Sequence, residues 1–230
     1  MRSFLPAGLM ALCTLLLLQC SKVNDAAPNV VLTARAEHNT SNYGLYKGVF
    51  VGSTGIILIS LRNENDNILA TIRIDGRLYQ FTTIGTLEAN KPTELLFKSG
   101  NSYFTFSVDA DGGNAAISGI HMEGHPDAGI ILFKERSDAL VRCYEGSFTG
   151  SQEGTWNLIV KGVQLQGLVR NGNTTTLATG LVNPDQSIFG EVSSGATFDG
   201  KIVRDKVFGT WKNETGNIVE NGNWEGVRTY

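Results

Sequence analysis

The chain is short of charge, of pairable cysteine and of familiar catalytic motifs. Charged residues are 18% of the 230, against about a quarter in ordinary globular proteins. No run of Lys or Arg occurs, and the formal net charge is −3. Loss of Arg2 with a leader makes it −4. A nucleic-acid partner is therefore not expected, because its electrostatic footprint is missing. Of the three cysteines, Cys13 lies inside an apolar leader and Cys20 ends it. Cys143 is left as a single thiol, which excludes an internal disulfide. A nucleophilic role for it would need an activating base beside it, so a small buried residue is the simpler reading. There is no P-loop, no Gly-x-Ser-x-Gly elbow and no His-Glu-x-x-His. The acidic pairs Glu64/Asp66 and Asp109/Asp111 fall in turns. No catalytic residue, no cofactor and no enzyme activity is expected on these grounds. Beyond the leader no window keeps a 3.6-residue apolar period, so almost no helix is expected.

What is present begins with export. Arg2 is followed by an apolar run of 15 residues, Phe4 to Leu18, too short for an ordinary membrane-spanning helix of about 20. Leu17-Leu18-Gln19-Cys20 resembles the lipobox of bacterial lipoproteins. The resemblance implies removal of residues 1–19, lipidation of Cys20 and a partner in the membrane itself. Each buried CH₂ adds about 0.8 kcal/mol, so several acyl chains hold a protein almost permanently. It also implies a bacterial envelope, with the outer membrane favoured because Ser21 is not acidic. Residues 20–45 are small and polar for the most part and read as a tether. Fully extended, residues 21–45 would reach roughly 80 Å at about 3.3 Å each.

The body reads as one design used twice. Tyr46-Lys47-Gly48-Val49-Phe50-Val51-Gly52-Ser53 matches Tyr144-Glu145-Gly146-Ser147-Phe148-Thr149-Gly150-Ser151 at Tyr, Gly, Phe, Gly and Ser. Gly55 and Gly154 follow. Each stretch is expected to open a β unit, over 46–136 and 144–230. In the first, Ile57/Ile59/Leu61, Ile72/Ile74, Tyr79/Phe81 and Phe104/Phe106/Val108 alternate, which is strand periodicity. Asp75-Gly76 is a two-residue hairpin turn. In the second, Trp156/Leu158/Val160 and Val163/Leu165/Gly167/Val169 alternate. Each copy carries eight candidate strands. Glycines inside strands, Gly167, Gly190, Gly200, Gly209 and Gly226, suit a sheet that bends sharply or whose backbones come close.

The predicted fold is all-β: two tandem eight-stranded antiparallel meanders, small barrels or strongly curled sheets, packed together. Phe198-x-Gly200-x-Ile202 and Val207-x-Gly209-Thr210-Trp211 resemble the small glycine-rich barrels of bacterial surface lipoproteins, such as those of transferrin-binding protein B. Eight strands leave room for side chains or for one small ligand. The bulky inward series, Ile57, Ile59, Ile72, Ile74, Phe104 and Phe106, then Trp156, Leu158 and Trp211, predicts a filled core.

His121, Glu123, His125 and Asp127 would share one face of an extended chain and are plausible zinc or copper ligands. Pro126 interrupts any strand there, and the matching part of the second copy has no His, so a polar loop is preferred and no metal is expected. Tyr43, Tyr46, Tyr103, Trp224 and Tyr230 are the candidate contact residues, since aromatics are enriched at interfaces. The leading expectation is a lipid-anchored binding module with a protein or glycan partner. The alternatives are a lipocalin-like carrier of a small ligand and an accessory subunit of an envelope assembly.

Overall fold

A computed structural model describes residues 32–51, 55–126 and 128–229. The leader, Cys20 and the start of the tether lie outside the described residues. Among the described residues there are sixteen strands. The first eight are β1 (Gly44–Val51), β2 (Gly55–Leu61), β3 (Ile68–Ile74), β4 (Arg77–Thr82), β5 (Thr93–Ser99), β6 (Ser102–Val108), β7 (Ala116–His121) and β8 (Gly129–Glu135). The second eight are β9 (Val141–Gly150), β10 (Gly154–Lys161), β11 (Gln164–Asn171), β12 (Thr174–Val182), β13 (Ser187–Val192), β14 (Thr197–Val203), β15 (Lys206–Thr215) and β16 (Ile218–Arg228). Among the described residues the helical content is one 3₁₀ turn, Ala36–His38. The two antiparallel eight-stranded meanders expected from the alternation are both present. Asp75 and Gly76 turn β3 into β4 with φ of 50° and 74°, as a two-residue hairpin requires.

The second meander closes completely, each strand pairing with the next and β16 with β9. The first is nearly closed. Its order is β7-β6-β5-β4-β3-β2-β1-β8, with β7 and β8 at the two edges. Two local features lie beside that seam. A bulge in the β6–β7 ladder sits opposite Phe104, with Gly119 at φ 56°, the left-handed conformation that glycine accepts. Pro126, in the connection to β8, has no N–H to give to a ladder. A second weak place is the β4–β5 junction, joined only at Thr82↔Lys98.

Residues 32–43, expected as the end of the tether, are docked on the first sheet instead. Asn42 is fully buried. Its amide donates to Glu88 O, Lys91 O and Thr93 Oγ1, and its carbonyl oxygen accepts from Asn90 N–H. One side chain thus ties down the loop that spans the weak junction. Lys134 Nζ donates to Tyr43 O at 2.8 Å and also to Ser41 O. Burial, with the Arg136 charge adding to it, lowers the Lys134 pKa to about 8.

The first sheet is filled. Tyr46, Phe50, Ile57, Ile59, Ile72, Phe81, Phe97, Phe104 and Phe106 form one buried cluster, with Phe97 and Phe104 stacked at 5.3 Å. The two meanders pack side by side through outward-facing residues. Val49 and Ile56 of the first meet Val141, Cys143 and Ile159 of the second. Asn157 Nδ2 donates to Phe50 O across the junction at 3.1 Å. The Lys47–Glu135 pair is buried beside it, Nζ to Oε2 2.7 Å, and Glu135 Oε2 also accepts from Val141 N–H. Burial raises the Cys143 thiol to about 12, so it is a packing residue and not a thiolate.

Candidate functional site

Inward positions on a barrel strand are two residues apart. On β9 they are Tyr144, Gly146 and Phe148; on β16, Glu220, Gly222, Trp224 and Gly226. At one end of the barrel the inward residues meet and close it: Tyr144, Val160, Leu165, Val182, Ile188, Ile202 and Val207 are all buried in a single cluster. At the other end they do not meet. A cavity of about 390 Å³ occupies that half of the barrel, lined by Phe148, Trp156, Phe198, Trp211 and Trp224 together with Leu158, Val169, Ala178 and Val192. Its mouth is ringed by Gln152, Asn171, Thr174, Ser194 and Asn213, of which Asn171, Thr174 and Ser194 are exposed.

The aromatic rings stay at the wall because glycines make room for them there. A Cβ on Gly146 or Gly226 would lie 2.3 or 2.4 Å from the Trp156 ring, and one on Gly200 2.5 Å from the Trp224 ring. Each ring lies flat over a neighbouring strand that lacks a side chain at that point. The rings then lean on one another edge to face: Trp156 and Trp224 at 5.5 Å and 82°, Phe198 and Trp224 at 5.9 Å and 85°, Phe148 and Trp211 at 5.8 Å and 86°. Such pairs are favoured by the ring quadrupole. The expectation of a filled core therefore holds for the first meander and fails for the second.

The indole N–H groups are all turned into the wall. Trp156 donates to Ser147 O, Trp211 to Thr149 O, and Trp224 to Asp199 O and Thr210 O. At the mouth, Gln152 Nε2 donates to both oxygens of Glu220 at 2.8 Å, and Asn213 Nδ2 donates to Glu220 Oε2 at 3.2 Å. Asn171 Nδ2 donates to Gln152 Oε1. None of the lining residues is charged.

Of the contact candidates named from the sequence, only Trp224 belongs to this site, and in a different role. It is 5% exposed and forms wall, not surface. Tyr46 is likewise no contact residue: it is fully buried, and its hydroxyl donates to Asn42 O at 2.8 Å. Burial raises its pKa, with Asp111 adding to the effect. Tyr43 is half-buried and accepts from Arg62 through its hydroxyl. Tyr103 is 43% exposed and stacks on His121. Tyr230 and Cys20 lie outside the described residues. The histidine motif is not gathered around a point. His125 packs edge-on against Phe50 at 5.9 Å, while His121 lies on Tyr103, and Asp127 is outside the described residues. Among the described residues no three His, Cys, Asp or Glu side chains converge on a common metal position.

Missed in the sequence were Phe148, Phe198 and the mouth residues Gln152, Asn171, Asn213 and Glu220. The signal that could have found the wall is the facing of glycines by aromatics on adjacent strands, as at Gly146↔Trp156.

No protein-family model matches the chain, and no curated protein matches it. Among solved structures it is similar to kievitone hydratase from Nectria haematococca, at 10% identity over 88% of this chain and 95% of that one, with a TM-score of 0.23. A likeness that distant carries no argument about ligand or reaction. The expectation of a non-enzyme is nonetheless corrected, since this matching structure is that of an enzyme.

Proposed function

We propose that the second barrel holds one small, largely apolar ligand in the cavity at its open end. We propose further that the chain is tethered to an envelope membrane through Cys20. The observation that supports the ligand is the 390 Å³ aromatic-walled cavity above a closed floor. Its size falls within the range of about 300–1,000 Å³ for small-molecule sites, and its make-up, apolar walls with a few polar groups at one end, is theirs as well. A ligand of about 20 heavy atoms at roughly 0.3 kcal/mol each would bind with about −6 kcal/mol, a Kd in the tens of micromolar. This favours the carrier reading over a surface interaction module, since two of the candidate surface aromatics are buried.

The test is a titration with the neutral fluorophore N-phenyl-1-naphthylamine, read by its emission and by energy transfer from tryptophan. One saturable site per chain is expected. Ala196→Trp, at the mouth, should weaken it at least tenfold. Emission that rises without saturating, or that Ala196→Trp leaves unchanged, would overturn the reading. The anchor is tested separately by labelling cells with an alkyne fatty acid: Cys20→Ala should lose the label, and a label that persists shows the leader was misread.

A further inference from the structure

We infer that the ligand class of this cavity is an organic cation, a quaternary ammonium or protonated amine carried on an apolar body. The inference rests on the cavity being a binding site. It comes from which polar groups face the cavity and which do not.

The aromatic wall offers π faces and C–H edges only. All three indole N–H groups are spent on main-chain carbonyls behind the wall, so no indole donor remains for a carboxylate, a sulfonate or a carbonyl ligand. What is left is the negative side of the ring quadrupole, which attracts cations, tryptophan most strongly. Three tryptophans and two phenylalanines line a single cavity.

The mouth has the same polarity. Glu220 is on the inward series of β16, four residues from Trp224, and so on the same face of the strand. Its carboxylate can only accept, which fixes the Gln152 and Asn213 amides with their NH₂ groups toward it. Gln152 Oε1 then takes the Asn171 NH₂. Gln152 thus spends both amide hydrogens on Glu220, Asn213 and Asn171 each spend one of two within the collar, and the Asn171 and Asn213 oxygens take none of these bonds. The basic residues next to the collar in sequence point elsewhere. Arg170 donates to Gly172 O and Lys212 pairs with Glu214, as expected for outward positions on strands whose inward neighbours are Asn171 and Asn213. An anionic ligand such as a fatty acid would find no cation among the lining residues, only neutral amides and hydroxyls at the mouth. A cation finds π faces inside and, at the rim, neutral amides backed by the Glu220 carboxylate that Gln152 and Asn213 hold. A quaternary ammonium would use chiefly the rings; a protonated amine would add hydrogen bonds to the collar.

The experiment compares three ligands of similar shape by calorimetry on the folded protein: benzyltrimethylammonium, neopentylbenzene, in which carbon replaces the nitrogen, and phenylacetate. The cation should bind about tenfold more tightly than the neutral isostere, with no measurable binding of phenylacetate. Its N-methyl protons should move upfield by ring current. Glu220→Gln should reduce the cation-to-neutral ratio by about twofold or more. Neopentylbenzene binding as tightly as the cation, or phenylacetate binding at all comparably, overturns the assignment and leaves the cavity reading standing. Failure of N-phenyl-1-naphthylamine to bind is the separate result that removes the cavity reading. Should Glu220→Gln not fold, the three-ligand series on the unaltered protein decides alone.

Discussion

The two meanders start from the same strand and end with different interiors. Tyr46, Gly48 and Phe50 on β1 correspond to Tyr144, Gly146 and Phe148 on β9, and both tyrosines are buried. The difference lies in what stands beside the shared glycine. In the first meander Gly48 faces Ile57 on one side and Leu132 on the other, and both side chains fill the interior. In the second, Gly146 faces Trp156 and Gly226. With glycine on two adjacent strands, the indole lies against the wall and the space above it stays open. The same contrast recurs further round. Phe104 and Phe106 fill the first interior from β6, whereas β14 offers Phe198, Gly200 and Ile202, and the middle of the three is where the Trp224 ring rests. Bulk on an inward position does not fill a small barrel if neighbouring strands give the ring a place to lie flat.

Four substitutions would break or sharpen that comparison. The largest effect is expected for Phe104→Ala, which hollows the filled interior and should cost about 3–5 kcal/mol in urea unfolding. Trp211→Ala, at the half-exposed rim of the cavity, should cost much less and lose ligand instead; equal costs would mean the interiors are alike. Next is Glu135→Ala at the junction. It takes the carboxylate away from the buried Lys47 and should cost about 3–5 kcal/mol, while Lys47→Met with Glu135→Met should recover most of the loss. A double variant no better than the single would contradict this. Gly226→Ala drives a Cβ into Trp156. A cost of about 1–3 kcal/mol is expected, with ligand affinity falling as the ring is pushed inward. Unchanged binding would show that the ring is not seated on that glycine.

The last effect is a pH dependence from Lys134 in the first meander. Lys134 has a folded-state pKa of about 8 against an ordinary value of 10.5. Between those values the unfolded chain binds the extra proton, so Lys134 makes stability rise with pH across that window, by at most about 1.4 kcal/mol per pH unit. Unfolding at pH 7.5, 9 and 10 should show the native protein gaining on Lys134→Met; parallel curves would rule this out.

The strands were legible in the sequence because period-two alternation needs only local information, and so was the strong curl, from Gly200, Gly209 and Gly226. The closed ring and the open seam were less so. Pro126 is visible, but the bulge opposite Phe104 depends on β6–β7 pairing. The cavity was illegible for a related reason. Trp156 and Trp211 look like core when the chain is read in one dimension, and the glycines that seat such rings lie on other strands. Asn42 misled in the opposite direction. In a polar stretch it reads as tether, yet its four hydrogen bonds reach residues 88–93, which no local pattern connects to it.

The most direct measurement is methyl NMR of the protein titrated with N-phenyl-1-naphthylamine. Saturable shifts at Leu158, Val169 and Val192 in the second meander, with Ile57, Ile72 and Ile74 in the first unmoved, are the predicted result. Shifts confined to the first meander, or spread evenly over both, would contradict it.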